Sequence, residues 1–291
     1  MLKNLDKALL ELIRLTSCSL PEDVKNAIET GLSQEEKSSP AYSALQNVLN
    51  NVDIAGKKSL PLCQDTGTNY FVVEFPLSED PEEIKESITR SIQEASRSGY
   101  LRPNSVDPIT GRNTGDNTGI GHPSIDFIPV KTDILQIKLM LKGGGCDNMG
   151  VQYSLPDETI SAGRDINGIK RCLLDAVYKA QGYGCAPGIL GVCIGGDRGD
   201  SLKTAKKQLF RKIGEYHSDE VLRELEIFTL EKANQLGIGP MGYGGKTTLL
   251  GVFVEKLNRI PASFFVSVSY MCWACRRKSL TLYPDGRFTV E

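Results

Sequence analysis

The chain has 291 residues, 34 Lys and Arg against 36 Asp and Glu, and 40% hydrophobic residues, enough to bury a sizeable core without disulfides or structural metals. The near-neutral balance carries no basic run and no interleaving of basic with aromatic residues, which argues against a nucleic-acid face and for a small molecule or a protein partner. The start, MLKNLDKALLELIRL, mixes charges into its apolar stripe and is neither a signal-peptide core nor a membrane span. The expectation is a cytoplasmic protein whose eight cysteines are thiols.

Apolar spacing predicts helices over NLDKALLELIRL, SLPEDVKNAIET and AYSALQNVLNN, a helical cap occupying residues 1–52. The second of these opens on a Ser19/Glu22 capping-box pattern with a proline in its first turn. After PLCQDTGT, the run YFVVEF reads as a buried strand, and DPEEIKESITRSIQEASRSG as an amphipathic helix ending at a glycine. Residues 101–126 carry Pro, Gly, Asn, Asp or Thr at almost every step, so a long irregular loop is expected there, of the kind that is usually functional or disordered. ILQIKLMLKGGG reads as a strand running into a glycine corner, and INGIKRCLLDAVYKAQG as a helix. An apolar glycine-rich stretch, two charged helices over about 201–236 and a final strand region follow. In that last region FFVSVSY would place Val266, Val268 and Tyr270 on one face and deliver Cys272 to a strand end. No repeat or composition break marks a linker, so residues 1–291 read as one mixed α/β (α+β) domain, with 53–291 below the cap.

Three local motifs raise chemistry. GIGPMGYGGKTT (237–248) approaches a phosphate-cradling loop, but Pro240 stands where the first glycine is needed, and a strand rather than a helix is expected to follow. A glycine-rich turn is the better reading. His122 and His217 are the only histidines, too few for a zinc site; His217 reads as a helix-flank residue, while His122 in the polar loop could approach a site. CWAC (272–275) could be a redox couple, yet it follows a strand rather than opening a helix, and no second pair completes a zinc site. A further possibility is an iron–sulfur cluster held by dispersed cysteines beside turn-forming residues: Cys63 in PLCQDTG, Cys185 in GYGCAPG and Cys272 in SYMCWA.

PLCQDTGT, LRPNSVDPITGRNTGDNTG, LKGGGCDNMG, GCAPGILGVCIGG and ASFFVSVSYMCWACRR, in this order, resemble the motifs of the iron–sulfur hydro-lyases, the family of class I fumarate hydratase and L(+)-tartrate dehydratase. The resemblance spans roughly residues 55 to 282. It implies a [4Fe–4S] cluster held by Cys63, Cys185 and Cys272, with one iron left open. Ala186 stands where the family more often has the first of two prolines, while the thiolate is kept. The resemblance further implies Gln64, Arg102 and Gly145 as substrate contacts and Asp65 as a catalytic residue, either orienting a proton-bearing group or positioning the neighbouring loop. In isolation Asp65 reads equally well as the first residue of an Asx turn in DTG. Cys18, Cys146, Cys172, Cys193 and Cys275 read as packing thiols or bystanders.

The implied reaction is reversible hydration of a small dicarboxylate, with Arg102 and the glycine corner fixing the substrate. Single-chain members of that family continue into a second domain that supplies the acid/base group, so the expectation is an alpha subunit with a separate beta subunit, in an assembly such as α2β2. The polar loop favours fumarate; Cys146 and Trp273 favour tartrate. Two other classes stay open, a thiol oxidoreductase using Cys272 and Cys275, and a non-catalytic assembly subunit.

Overall fold

A computed structural model describes residues 3–291. The chain divides into two compact units, each discontinuous in sequence. The first comprises the chain up to Pro21, Asn50–Gly144 and Ala274–Glu291; the second comprises Glu22–Leu49 and Gly145–Trp273. The three helices expected in the first fifty residues are present and are distributed between them: α1 (Leu5–Cys18) in the first, α2 (Glu22–Gln34) in the second, and α3 (Pro40–Lys58) beginning in the second and ending in the first.

The first unit is built on a five-stranded mixed sheet. Its strands are β1 (Thr68–Pro76), β2 (Ser124–Val130), β3 (Leu135–Lys142), β8 (Arg276–Leu282) and β9 (Phe288–Val290), in the order β2-β1-β3-β8-β9. Only β1 and β2 run parallel, and the crossover that a parallel pair requires is supplied by α4 (Pro81–Arg97). Asp80 caps that helix by accepting the Glu82 N–H at 2.9 Å, and Pro81 sits in its first turn, where its missing N–H costs nothing. Ile84, Ile88, Ile92 and Ala95 then fall on one buried face. They pack with Leu5, Leu9, Leu12 and Ile13 of α1 over Phe71, Val73, Ile137, Leu139 and Leu280 of the sheet, forming one continuous core. Each isoleucine buried there contributes about 1.5–3 kcal/mol.

The predicted capping box is not formed. Ser19 instead closes α1, its N–H and its hydroxyl both donating to the Leu15 carbonyl at 3.0 and 2.7 Å, and α2 begins only at Glu22. A serine three residues before a glutamate fits either role, and the preceding helix claimed it.

The second unit holds a four-stranded sheet of order β4-β7-β5-β6, with β4 (Val151–Ser154), β5 (Gly188–Gly195), β6 (Leu249–Leu257) and β7 (Phe265–Met271). The apolar glycine-rich stretch is therefore a strand, β5, buried at every residue. It pairs in parallel with β6 and antiparallel with β7. The parallel connection contains the two charged helices, α7 (Arg198–Gln208) and α8 (Glu220–Asn234), while α6 (Ile166–Ala180) packs against α8 and β7. The glycine corner becomes a short helical turn, α5 (Gly144–Asp147). Mixed sheets and flanking helices in both units bear out the α+β assignment.

Candidate active site

In the first unit, the turn carrying Cys63 is held from both sides. The Leu62 N–H donates to the Ser17 carbonyl at 3.0 Å, and the Asn51 amide donates to the Leu62 carbonyl at 2.9 Å. Just beyond it, Asp65 uses one carboxylate oxygen to accept the Gly67 N–H at 2.9 Å and the other to accept the Gly144 N–H at 2.8 Å. Asp65 thus closes the Asx turn and also anchors the glycine corner 79 residues away. Gly67 is required at φ +80°, because a Cβ there would lie 2.6 Å from the Lys142 carbonyl carbon.

The same turn organises the long polar loop. Thr66 Oγ1 accepts the Arg102 N–H at 3.2 Å and lies 3.0 Å from the Asn104 amide. Asn117 Oδ1 accepts the Asn104 N–H at 2.7 Å, and its Nδ2 donates to the Arg102 carbonyl at 3.0 Å. Asp107 and Asp116 brace the remainder, each accepting backbone N–H and threonine O–H bonds that hold its carboxyl below the usual range. The loop is irregular yet fixed. It leaves the Arg102 and Gln64 side chains exposed, with no hydrogen bond or ion pair to the described residues. A pocket of about 110 Å³ opens beside Asp65 and Gly144, with Asn69, Asn104 and His122 also in its wall.

In the second unit, Cys185 is exposed and held at φ +54°, a left-handed conformation rare outside glycine. Its N–H donates to the Gly182 carbonyl at 3.1 Å, and its carbonyl accepts the Trp273 N–H at 3.4 Å, which ties it to the residue following Cys272. Beneath lies the ring of Tyr270. A Cβ on Gly184 would fall 2.4 Å from that ring, and one on Gly188 2.3 Å from its hydroxyl, so both glycines flanking Cys185 are demanded by the tyrosine. Burial drives the Tyr270 phenol well above its usual range, reinforced by the neighbouring sulfurs of Cys272, Cys146 and Cys185. Cys146 is buried, its sulfur 3.9 Å from that of Met271. Gly145 is exposed with open space around its Cα.

Of the predicted site residues, Cys63, Gln64, Asp65 and Arg102 thus belong to the first unit, and Gly145, Cys185 and Cys272 to the second. Cys63 and Cys272 are half-buried and Cys185 is exposed, whereas the other five thiols are all buried. Cys275, the other half of CWAC, is fully buried and accepts a 3.5 Å contact from Arg277 Nη1. Among the described residues, no three His, Cys, Asp or Glu side chains are grouped to hold a single ion. No helix is long and apolar enough to cross a membrane.

The remaining motifs resolve structurally. In the glycine-rich loop, Glu35 Oε1 accepts the N–H groups of Lys246 and Thr247, both at 2.9 Å, so the protein's own carboxylate occupies the place a phosphate would take. His217 accepts the Asp219 N–H at 2.9 Å at the start of α8, as a helix-flank residue should. Glu35 carried no signal in the sequence, because it acts through partners distant along the chain.

The family model described as fumarate hydratase (Fumerase) matches residues 6–281. A provisionally named class I fumarate hydratase of Geobacillus stearothermophilus is 46% identical over 98% of this chain, which spans 56% of that protein's length. A provisionally named L(+)-tartrate dehydratase subunit alpha of Methanocaldococcus jannaschii is 37% identical over 95% of the chain and 97% of its own length. The L(+)-tartrate dehydratase subunit alpha of Escherichia coli K12 is 31% identical, over 94% and 89%.

Proposed function

The chain belongs to the fumarate hydratase (Fumerase) family, and from that premise we propose that it is the alpha subunit of an iron–sulfur hydro-lyase that reversibly hydrates fumarate to malate. The observation that carries this reading is thiol accessibility: of eight cysteines, the three that match the family's ligand motifs, Cys63, Cys185 and Cys272, are the three that are not buried. A set of accessible thiols on constrained turns suits iron–sulfur ligation, since soft thiolates are what such clusters take. The left-handed backbone at Cys185 and the two carbonyl anchors around Cys63 are constraints of that kind.

A [4Fe–4S] cluster held by these three thiolates would supply one open iron as a Lewis acid toward the substrate's hydroxyl and carboxylate. The chain's own residues do the rest of its share. Arg102, whose guanidinium is exposed and uncommitted, holds a carboxylate through two parallel N–H bonds. Gly145, lacking a side chain, lets its backbone approach the substrate. Asp65 has both oxygens engaged by N–H groups, so it acts here by setting the shape of the glycine corner. Hydration adds a water oxygen to one alkene carbon and a proton to the next; the group that delivers that proton belongs to a beta subunit, completing an assembly such as α2β2.

L(+)-tartrate dehydration is the second reading, favoured by the two relatives named as tartrate dehydratase alpha subunits, 37% and 31% identical to this chain. Anaerobic co-expression with a beta subunit, followed by assays on fumarate, malate and tartrate, separates the two. Single Cys63→Ser, Cys185→Ser and Cys272→Ser variants should each lose iron and the cluster absorbance, while Cys275→Ser keeps both. Full four-iron spectra in all three would sink the ligand assignment, and activity that depends on Cys275 would favour a thiol oxidoreductase.

A further inference from the structure

Two polar side chains in the first unit are buried without a partner. Arg276, the first residue of β8, is 1% exposed, and its guanidinium makes no hydrogen bond; Nε and Nη1 are both sealed from solvent. Asn69, in β1, is 2% exposed, with Oδ1 likewise unpartnered. The sheet register puts them in one row, Asn69 opposite Leu141 of β3 and Leu141 opposite Arg276, so all three side chains emerge on the same face. With strands about 4.8 Å apart, the two flank Leu141 at roughly 10 Å between Cα atoms, within the combined reach of their side chains.

Asn69 also lines the pocket beside Asp65 and Gly144. His122 is also in its wall, and its imidazole makes no hydrogen bond or ion pair with the described residues. The one carboxylate in the wall, Asp65, already has an N–H on each oxygen. At about 110 Å³, the cavity has room for a carboxylate or a few waters. A buried guanidinium with no counter-charge destabilises the fold, as does a buried amide with no partner. Asn69 stands in the pocket wall and Arg276 lies beyond Leu141 in the same row, so the persistence of both without a partner points to an anion that enters past Asn69 and satisfies them when it is bound.

We propose that Asn69 and His122, in the pocket wall, and Arg276, behind Leu141 in the same row, take up one carboxylate of the dicarboxylate substrate. The inference rests on the hydro-lyase reading and adds an anchor inside the first unit to the exposed Arg102. Its signature is opposite signs in stability and affinity. A residue that only supports the fold loses stability when truncated. A residue kept for a ligand relieves an uncompensated charge when truncated, so the protein melts higher and binds more weakly.

The experiment compares wild type with Arg276→Met and Asn69→Leu. Thermal melting of the full chain is recorded with and without succinate, a dicarboxylate that has no double bond or hydroxyl to react, and steady-state kinetics are measured on the anaerobic complex. Wild type should be stabilised by succinate. Arg276→Met should melt about 2–4 °C higher without ligand, lose the succinate shift, and raise KM at least tenfold with kcat changed much less. Asn69→Leu should follow in the same direction with a smaller KM effect. Lower melting of both variants with unchanged KM would overturn the subsite and leave a structural arginine. So would a wild-type melt indifferent to succinate, which would mean that water alone fills the pocket. Failure of the wild-type complex to hydrate or dehydrate any dicarboxylate would instead overturn the functional reading itself.

Discussion

Replacing Glu35 by alanine should unfasten the glycine-rich loop of the second unit. Glu35 is 7% exposed, and its carboxylate accepts the Lys246 N–H at 2.9 and 3.1 Å and the Thr247 N–H at 2.9 Å. Hydrogen bonds to a charged group contribute about 1.5–3 kcal/mol each, and truncation leaves two amide donors behind, that of Thr247 in a buried residue. The expected loss is about 3–5 kcal/mol, or a fall of roughly 6–20 °C in melting temperature for a protein of this size. Glu35→Gln should lose much less, about 1–2 kcal/mol, because a single oxygen, Oε1, already reaches both amides. Calorimetric melting of the three proteins measures these differences. Because the nest is filled by Glu35, wild type should also show no binding of Mg-ATP or inorganic phosphate in titration calorimetry. Sub-millimolar nucleotide binding by wild type, or an alanine variant within 1 kcal/mol of wild type, would refute the reasoning.

Two further outcomes follow from the thiols and their support. In apo protein at mild alkaline pH, iodoacetamide should label Cys185 first, then Cys63 and Cys272, as read by peptide mass spectrometry. Cys172 and Cys193 should stay unlabelled, since burial pushes their thiols up to about 12 and about 11 and keeps them protonated. Gly188→Ala should destabilise the protein by about 1–3 kcal/mol through overpacking, because the new methyl would meet the Tyr270 hydroxyl at 2.3 Å. Thermal melts of Gly188→Ala with and without Tyr270→Ala should show partial recovery in the double variant, and the same cost in both backgrounds would argue against the contact.

Much of the architecture was legible because it is written in local chemistry. Asp80 and Pro81 announce the start of α4, and its isoleucines at four-residue spacing mark the buried face. The strand-end position of Cys272 followed from the run that precedes it. Ser19 was misread because a capping serine looks the same whichever helix it serves. The chain's division was not legible, since each unit is assembled from separated segments without a change in composition. At the candidate site, motif residues could be named in advance, but not what Asp65 does with each oxygen, since Gly144 is far along the chain. Arg276 and Asn69 escaped altogether: a missing partner leaves no trace in a sequence, and only sheet register brings the two into one row.

The bond from Asp65 to Gly144 also bears on the order of events during synthesis. Residue 65 leaves the ribosome 79 residues before its second partner exists, a delay of about 4–16 s at typical elongation rates. The stretch that packs on Gly67, at Lys142, arrives just as late. Until β3 has paired with β1, the Asp65 end of the Cys63 turn lacks its Gly144 anchor and the Lys142 backbone that packs on Gly67, and only the Ser17 and Asn51 bonds hold it. The turn therefore takes its final shape only once β1 and β3 have paired, when roughly half of the chain has been made.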